Sequence, residues 1–103
     1  MAIYKNITTT GSSTTLITKN AGVSGRINMI TISNNSADAA TVIVDLWDGV
    51  SDTPFYICKN VVIPAGTVLV LDDNISFNSN VYNLRIYNTG AGSGTEDLTV
   101  IIK

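Results

Sequence analysis

Few groups in this chain could do chemistry, and their spacing limits what that chemistry would be. Asp45 stands two positions before Trp47, Asp48 follows directly, and Asp52 lies in the loop beyond. An aromatic ring beside several carboxylates is what a carbohydrate site or a calcium loop would use, because sugars stack on flat rings and Ca²⁺ takes several oxygen ligands. The same residues also read as turn formers, since Asp48-Gly49 is a turn dipeptide and an aromatic at a strand end packs at a sandwich edge. The turn reading is the stronger of the two. Asp72 and Asp73 are adjacent, so in a strand they point to opposite faces and cannot work as a paired acid and base. The sequence contains no histidine, which removes the usual general base, His-dependent triads and His-containing zinc sites. Cys58 is the single cysteine. With no second thiol and no acid or base in its motif, it reads as a small buried hydrophobe. The glycine-rich stretch from Gly90 to Gly94 precedes a strand rather than a helix, so a hairpin tip accounts for it better than a phosphate cradle. The expectation is a protein that is not an enzyme, with no cofactor and no catalytic metal.

The elements that must position these groups are short strands. Apolar and β-branched runs alternate with clusters of Gly, Asn, Asp, Ser and Pro at the spacing of an all-β sandwich or barrel. The clearest strand is Thr41 to Trp47, where Val42, Val44 and Leu46 alternate with Thr41, Ile43, Asp45 and Trp47 and leave Asp45 and Trp47 facing outward. Ile3 to Thr8 and Thr14 to Thr18 read as two short strands or one bent strand. Arg26 to Ser33 reads as one strand whose alternation breaks midway, as a bulge or burial on both faces would produce. Phe55 to Asn60 makes a strand with Tyr56 and Cys58 on one side. Val61 to Gly66 then interrupts the ladder, because Pro64 has no N–H and Gly66 accepts positive φ. Thr67 to Leu71, Ile75 to Phe77, Val81 to Asn88 and Leu98 to Ile102 complete the set, with Tyr82, Leu84, Ile86, Leu98, Val100 and Ile102 inward. That is roughly eight strands, enough for two packed antiparallel sheets. The predicted fold is all-β, one antiparallel β-sandwich over residues 1–103, of jelly-roll or immunoglobulin-like type.

Composition agrees with this and adds a statement about the surface. Of 103 residues, 45% are hydrophobic and only 14% charged, against about 25% charged in ordinary domains, so Thr, Asn and Ser supply the polar surface. One Glu and no Gln leave little to build helices from. The six basic residues are scattered and outnumbered by eight acids, so nucleic acid is not an expected partner. Apolar runs fall far short of the roughly 18–20 residues that span a bilayer, so no membrane partner is expected either. The first residues lack the basic and apolar regions of a secretory signal, which leads us to expect no export address. Outward Thr8, Thr9, Thr10, Thr14, Thr15, Asn28 and Thr31 stand where a free monomer would place Lys and Glu. Charged residues guard strand edges against pairing with neighbours, and few are present here. The terminal segments Ile3 to Thr8 and Leu98 to Ile102 read as the exposed edges. Ile3, Tyr4, Ile7 and Thr8 are therefore the candidate assembly edge, through which the chain sits against copies of itself or a larger particle.

Several stretches together carry a resemblance. They are the Met1-Ala2-Ile3-Tyr4-Lys5-Asn6 start, the Thr-rich first strands, Val42-Ile43-Val44-Asp45-Leu46-Trp47-Asp48-Gly49, Tyr56 through Gly66 with its Ile63-Pro64-Ala65-Gly66 kink, and the closing Leu98 to Lys103. The chain resembles small virion structural proteins of tailed bacteriophages, notably those of marine and cyanobacterial phages, over nearly its whole length. The resemblance implies a non-enzymatic protein present in many copies, a capsid decoration or cement protein bound to the major capsid protein, with a neck or tail accessory role as the close variant. It also implies a homo-oligomer, with a trimer as the first expectation, located in the virion after assembly in the host cytoplasm. The alternative from the residues themselves is a carbohydrate-binding or host-attachment module centred on Asp45, Trp47, Asp48 and Asp52.

Overall fold

The β-branched runs become ten strands in the computed structural model, which describes residues 2–8, 11, 13–20, 24–50, 53–72, 75–89 and 97–103, with backbone alone at 24–26 and 76–78. They are β1 (Ile3–Ile7), β2 (Ser13–Ile17), β3 (Ser24–Ile27), β4 (Ile30–Asn34), β5 (Ala40–Trp47), β6 (Phe55–Ile63), β7 (Val68–Leu71), β8 (Ile75–Asn78), β9 (Asn83–Asn88) and β10 (Leu98–Ile102). Among the described residues there is no helix.

Eight strands form two four-stranded antiparallel sheets, ordered β1-β10-β4-β7 and β2-β9-β5-β6, while β3 and β8 pair as a separate ribbon. The pairing is nested: β1 with β10, β2 with β9, β3 with β8, β4 with β7 and β5 with β6. The chain is thus one long antiparallel hairpin, bent so that its rungs are shared between two sheets and a ribbon. Pairing of β10 with β4 and of β9 with β5 completes each sheet. This order is the jelly roll. It decides between the two sandwich types expected, because an immunoglobulin domain orders its strands ABED and CFG, without this nesting.

Alternation along the strands builds the core. Ile7, Ile30, Ile32, Leu98, Val100 and Ile102 from one sheet meet Leu16, Ile17, Val42, Val44, Leu84 and Ile86 from the other in a single buried cluster. Each such side chain contributes about 1.5–3 kcal/mol by leaving water. At one end a buried polar group ties the sheets together. Asn34 Nδ2 donates to the carbonyls of Ile63 (2.8 Å) and Asp38 (2.9 Å), and its Oδ1 accepts from the backbone N–H and the hydroxyl of Ser36.

The structure corrects four expectations. Arg26 to Ser33 is not one irregular strand: β3 ends in the ribbon at Ile27 and β4 begins in the sheet at Ile30. Asn28 and Met29 span the gap, their N–H groups donating to the Lys103 carbonyl at 2.8 and 3.2 Å. The alternation breaks because the two halves belong to different sheets. The segment Val61 to Ile63 does not interrupt the ladder either, since it pairs with Val42, Thr41 and Ala40, and β6 stops only at Pro64. The irregularity lies earlier, where the β5–β6 register shifts on both sides of Val44 and Asn60 has φ of 56°. One consequence is that Tyr56, opposite Asp45, and Cys58, opposite Val44, lie on different faces rather than one. Finally, β10 is not an edge, because it runs between β1 and β4.

Candidate functional site

Two surfaces follow from this arrangement, one on the outer face of each sheet. On the β2-β9-β5-β6 sheet, Val42 and Val44 of β5 and Leu84 and Ile86 of β9 point into the core, so Ile43, Asp45, Arg85 and Tyr87 point outward. Register places Asp45 opposite Arg85, and Ile43 opposite Tyr87. On the other side of β5, Asp45 faces Tyr56 of β6, and on the other side of β9, Tyr87 faces Ser13 of β2.

Asp45 and Arg85 form a bidentate pair, Nε to Oδ1 at 2.9 Å and Nη2 to Oδ2 at 3.0 Å. Asp45 is only 6% exposed although it lies on the outer face. The Arg85 guanidinium also lies over the Trp47 ring, its Cζ 4.3 Å from the centroid, in a cation–π contact. Lys59 Nζ lies 4.7 Å from the centroid of the Tyr56 ring. Around the pair the face sinks into an open depression of about 390 Å³ lined by Ser13, Ile43, Asp45, Pro54, Tyr56, Arg85 and Tyr87.

The candidate residues are only partly brought together. Asp45 and Trp47 meet through Arg85. The Asp48 carboxylate accepts the Val50 N–H at 2.9 Å, and the Asp48 carbonyl accepts from Lys19 Nζ at 3.0 Å, both turn-stabilising contacts. Asp52 lies outside the described residues, as do Asp73 and the Gly90 to Gly94 stretch. Among the described residues no three metal-ligating side chains lie close enough to hold an ion. Cys58 is half-buried against the core, and burial pushes its thiol pKa up, the direction opposite to that of an activated nucleophile. Arg85, Tyr56 and Tyr87 were not among the candidates. Alternation along β9 made Arg85 and Tyr87 outward in the sequence, but the irregularity in β6 hid the outward place of Tyr56, and which strand lies beside β5 was not legible.

The second surface is the outer face of the β1-β10-β4-β7 sheet. Two rows cross it: Tyr4, Ile101, Thr31 and Val70, then Asn6, Thr99, Ser33 and Val68. None of these eight side chains is charged. Asp72, Asp97 and Lys103 stand just beyond the strand ends, and Lys5 occupies the alternate position on the edge strand β1. The polar members of the second row are linked through hydrogen bonds, with Asn35 just past β4 joining them: Thr99 Oγ1 donates to Asn6 Oδ1 at 2.9 Å, Asn35 Nδ2 to Thr99 Oγ1 at 2.9 Å, and Ser33 Oγ to Asn35 Oδ1 at 3.0 Å. Of the expected assembly edge, Tyr4 is 68% exposed and Thr8 is exposed, Ile3 is half-buried, and Ile7 belongs to the core.

No protein-family model matches the chain, and no curated protein is significantly similar to it. The two surfaces therefore carry the functional argument by their own chemistry.

Proposed function

We propose that this chain is a non-catalytic structural protein of a tailed-phage virion, adhering in many copies to the major capsid protein of the shell as a decoration or cement protein. One observation carries the reading: the outer face of the β1-β10-β4-β7 sheet presents eight uncharged side chains with charges only around it. Interface centres are depleted of charge because burying an ion costs several kcal/mol unless it is paired, and their rims are polar. The Asn6, Thr99, Asn35 and Ser33 groups already bond to one another, so covering them leaves fewer unpaired donors and acceptors. Tyr4, Ile101, Val68 and Val70 supply apolar area. Each copy adds a modest contact, and repetition over the shell multiplies it. The jelly roll is also a fold that capsid domains use, which is an analogy of fold alone. A homotrimer is the oligomer this reading favours, and the virion its location.

The experiment is to purify particles from cells infected with the phage that encodes the chain, and to quantify the protein on them with and without the double substitution Tyr4→Asp, Val70→Asp. Both side chains are exposed, Tyr4 by 68% and Val70 by 49%, and a cooperative thermal melt of the variant checks that it folds. The expected result is protein bound in many copies on the head and at least about tenfold fewer copies of the variant. Complete particles without the protein, or full occupancy by the variant, would overturn the proposal.

A further inference from the structure

The depression on the opposite sheet plays no part in that adhesion, and its chemistry is different. Its volume of about 390 Å³ falls within the range of small-molecule sites, roughly 300–1,000 Å³. Apolar and aromatic surface comes from Ile43, Pro54, Tyr56 and Tyr87, and polar groups from Ser13, Asp45 and Arg85. Arg85 spends Nε and one Nη2 hydrogen on Asp45, and its Nη1 has no hydrogen-bond partner among the described residues. Three N–H donors, both on Nη1 and the second on Nη2, therefore remain on a guanidinium that lines the depression and is held by the Asp45 fork and the Trp47 ring. Asp45 retains lone pairs beyond the two bonds it accepts.

Charge narrows the class of ligand. The guanidinium is already matched by a carboxylate 2.9 Å away, so an incoming anion gains little from Arg85 and is repelled by Asp45. A neutral ligand meets no such conflict. What fits is a compact molecule with hydroxyls that both donate and accept around its edge and an apolar C–H face to lie on an aromatic ring. We propose that this depression binds a neutral pyranose ring, stacked on Tyr87 and hydrogen-bonded by Arg85 Nη1, Asp45 and Ser13. Trp47 is not the stacking platform, because Arg85 lies over its ring. Lys59 lies over one face of Tyr56, whereas no cation lies over Tyr87 among the described residues. In a particle where the neutral face meets the shell, this site would face away from it.

The test is a titration of the ¹⁵N-labelled full chain with glucose, galactose, mannose and N-acetylglucosamine, with glucuronate and a proline-rich peptide as comparison ligands. The expected result is saturable shifts at the amides of Ile43, Arg85 and Tyr87 with at least one neutral sugar, weakened at least about tenfold by Tyr87→Ala and largely kept by Tyr87→Phe. An unchanged dispersed spectrum of Tyr87→Ala shows that the loss is not one of folding. Silence with all four neutral sugars, binding of glucuronate or the peptide alone, or sugar binding indifferent to Tyr87→Ala each overturns the proposal. Because the site and the neutral face lie on different sheets, either result leaves the adhesion reading standing or falling on its own experiment.

Discussion

At the scale of single residues, the outer sheet face is organised by one ion pair. Arg85 and Asp45 are 19% and 9% exposed at their side chains, so each is largely removed from water and depends on the other. Removing one partner leaves a poorly hydrated charge, and Arg85→Met or Asp45→Leu alone should cost about 2–3 kcal/mol in urea unfolding. The double variant should cost less than the sum, with a coupling of about 1–2 kcal/mol. Strict additivity would show that the pair contributes no interaction of its own. Alternation along β5 and β9 made Asp45, Trp47 and Arg85 legible as outward residues. Their meeting was not, because Arg85 and Asp45 are 40 positions apart and only the β5–β9 register opposes them. For Asp48 the local chemistry sufficed, since an Asp before Gly closes its own turn.

At the scale of elements, the positions that matter are those where the backbone leaves the β region. Gly66 has φ of 74° in the turn between β6 and β7, and a Cβ there would meet nothing within 4 Å. Gly66→Ala should therefore cost about 1–2 kcal/mol from the left-handed backbone alone. Asn60→Val at φ of 56° should cost a similar amount, while Val62→Thr, 58% exposed on the same strand, should stay within about 0.5 kcal/mol. Chemical denaturation of the three variants checks the ranking, and an Asn60→Val protein as stable as the parent would remove the bulge from the account. The turn at Pro64 and Gly66 was readable because those residues restrict or widen φ. The bulge beside Asn60 was not, since counting by twos assumes a regular strand. A second shift, between Val44 and Asp45, places one extra β6 residue between Tyr56 and Cys58, so Cys58 turns toward the core while Tyr56 stays outside.

At the scale of the whole molecule, the nested pairing joins the two ends of the chain. β1 and β10 pair with Ile3 opposite Ile102, and β10 is also the only described strand between β1 and β4. The last strand is therefore structural rather than peripheral. A chain ending before Leu98 should lose its cooperative thermal transition, because Leu98, Val100 and Ile102 leave the core and two strands lose their partner. Circular dichroism measures this, and a cooperative melt of the truncated chain would contradict it. The shape follows from the same architecture: extents of 36 × 27 × 18 Å describe a slab two sheets thick, with one broad outer face on each side. One face is neutral, and the other carries the Asp45–Arg85 pair and its depression.

The amino-acid sequence by itself determined the class of fold, the inward residues of most strands, and the lack of any histidine or second cysteine within this chain. These depend on composition and on a period of two, which are local properties. Tertiary structure decided which sheet each strand joins, hence the jelly roll over the immunoglobulin order, the interior place of β10, and the meeting of Arg85 with Asp45 and Trp47. Those choices rest on pairing between strands far apart in the chain. Their stability comes from burying both sheets at once, so no local run of residues encodes them.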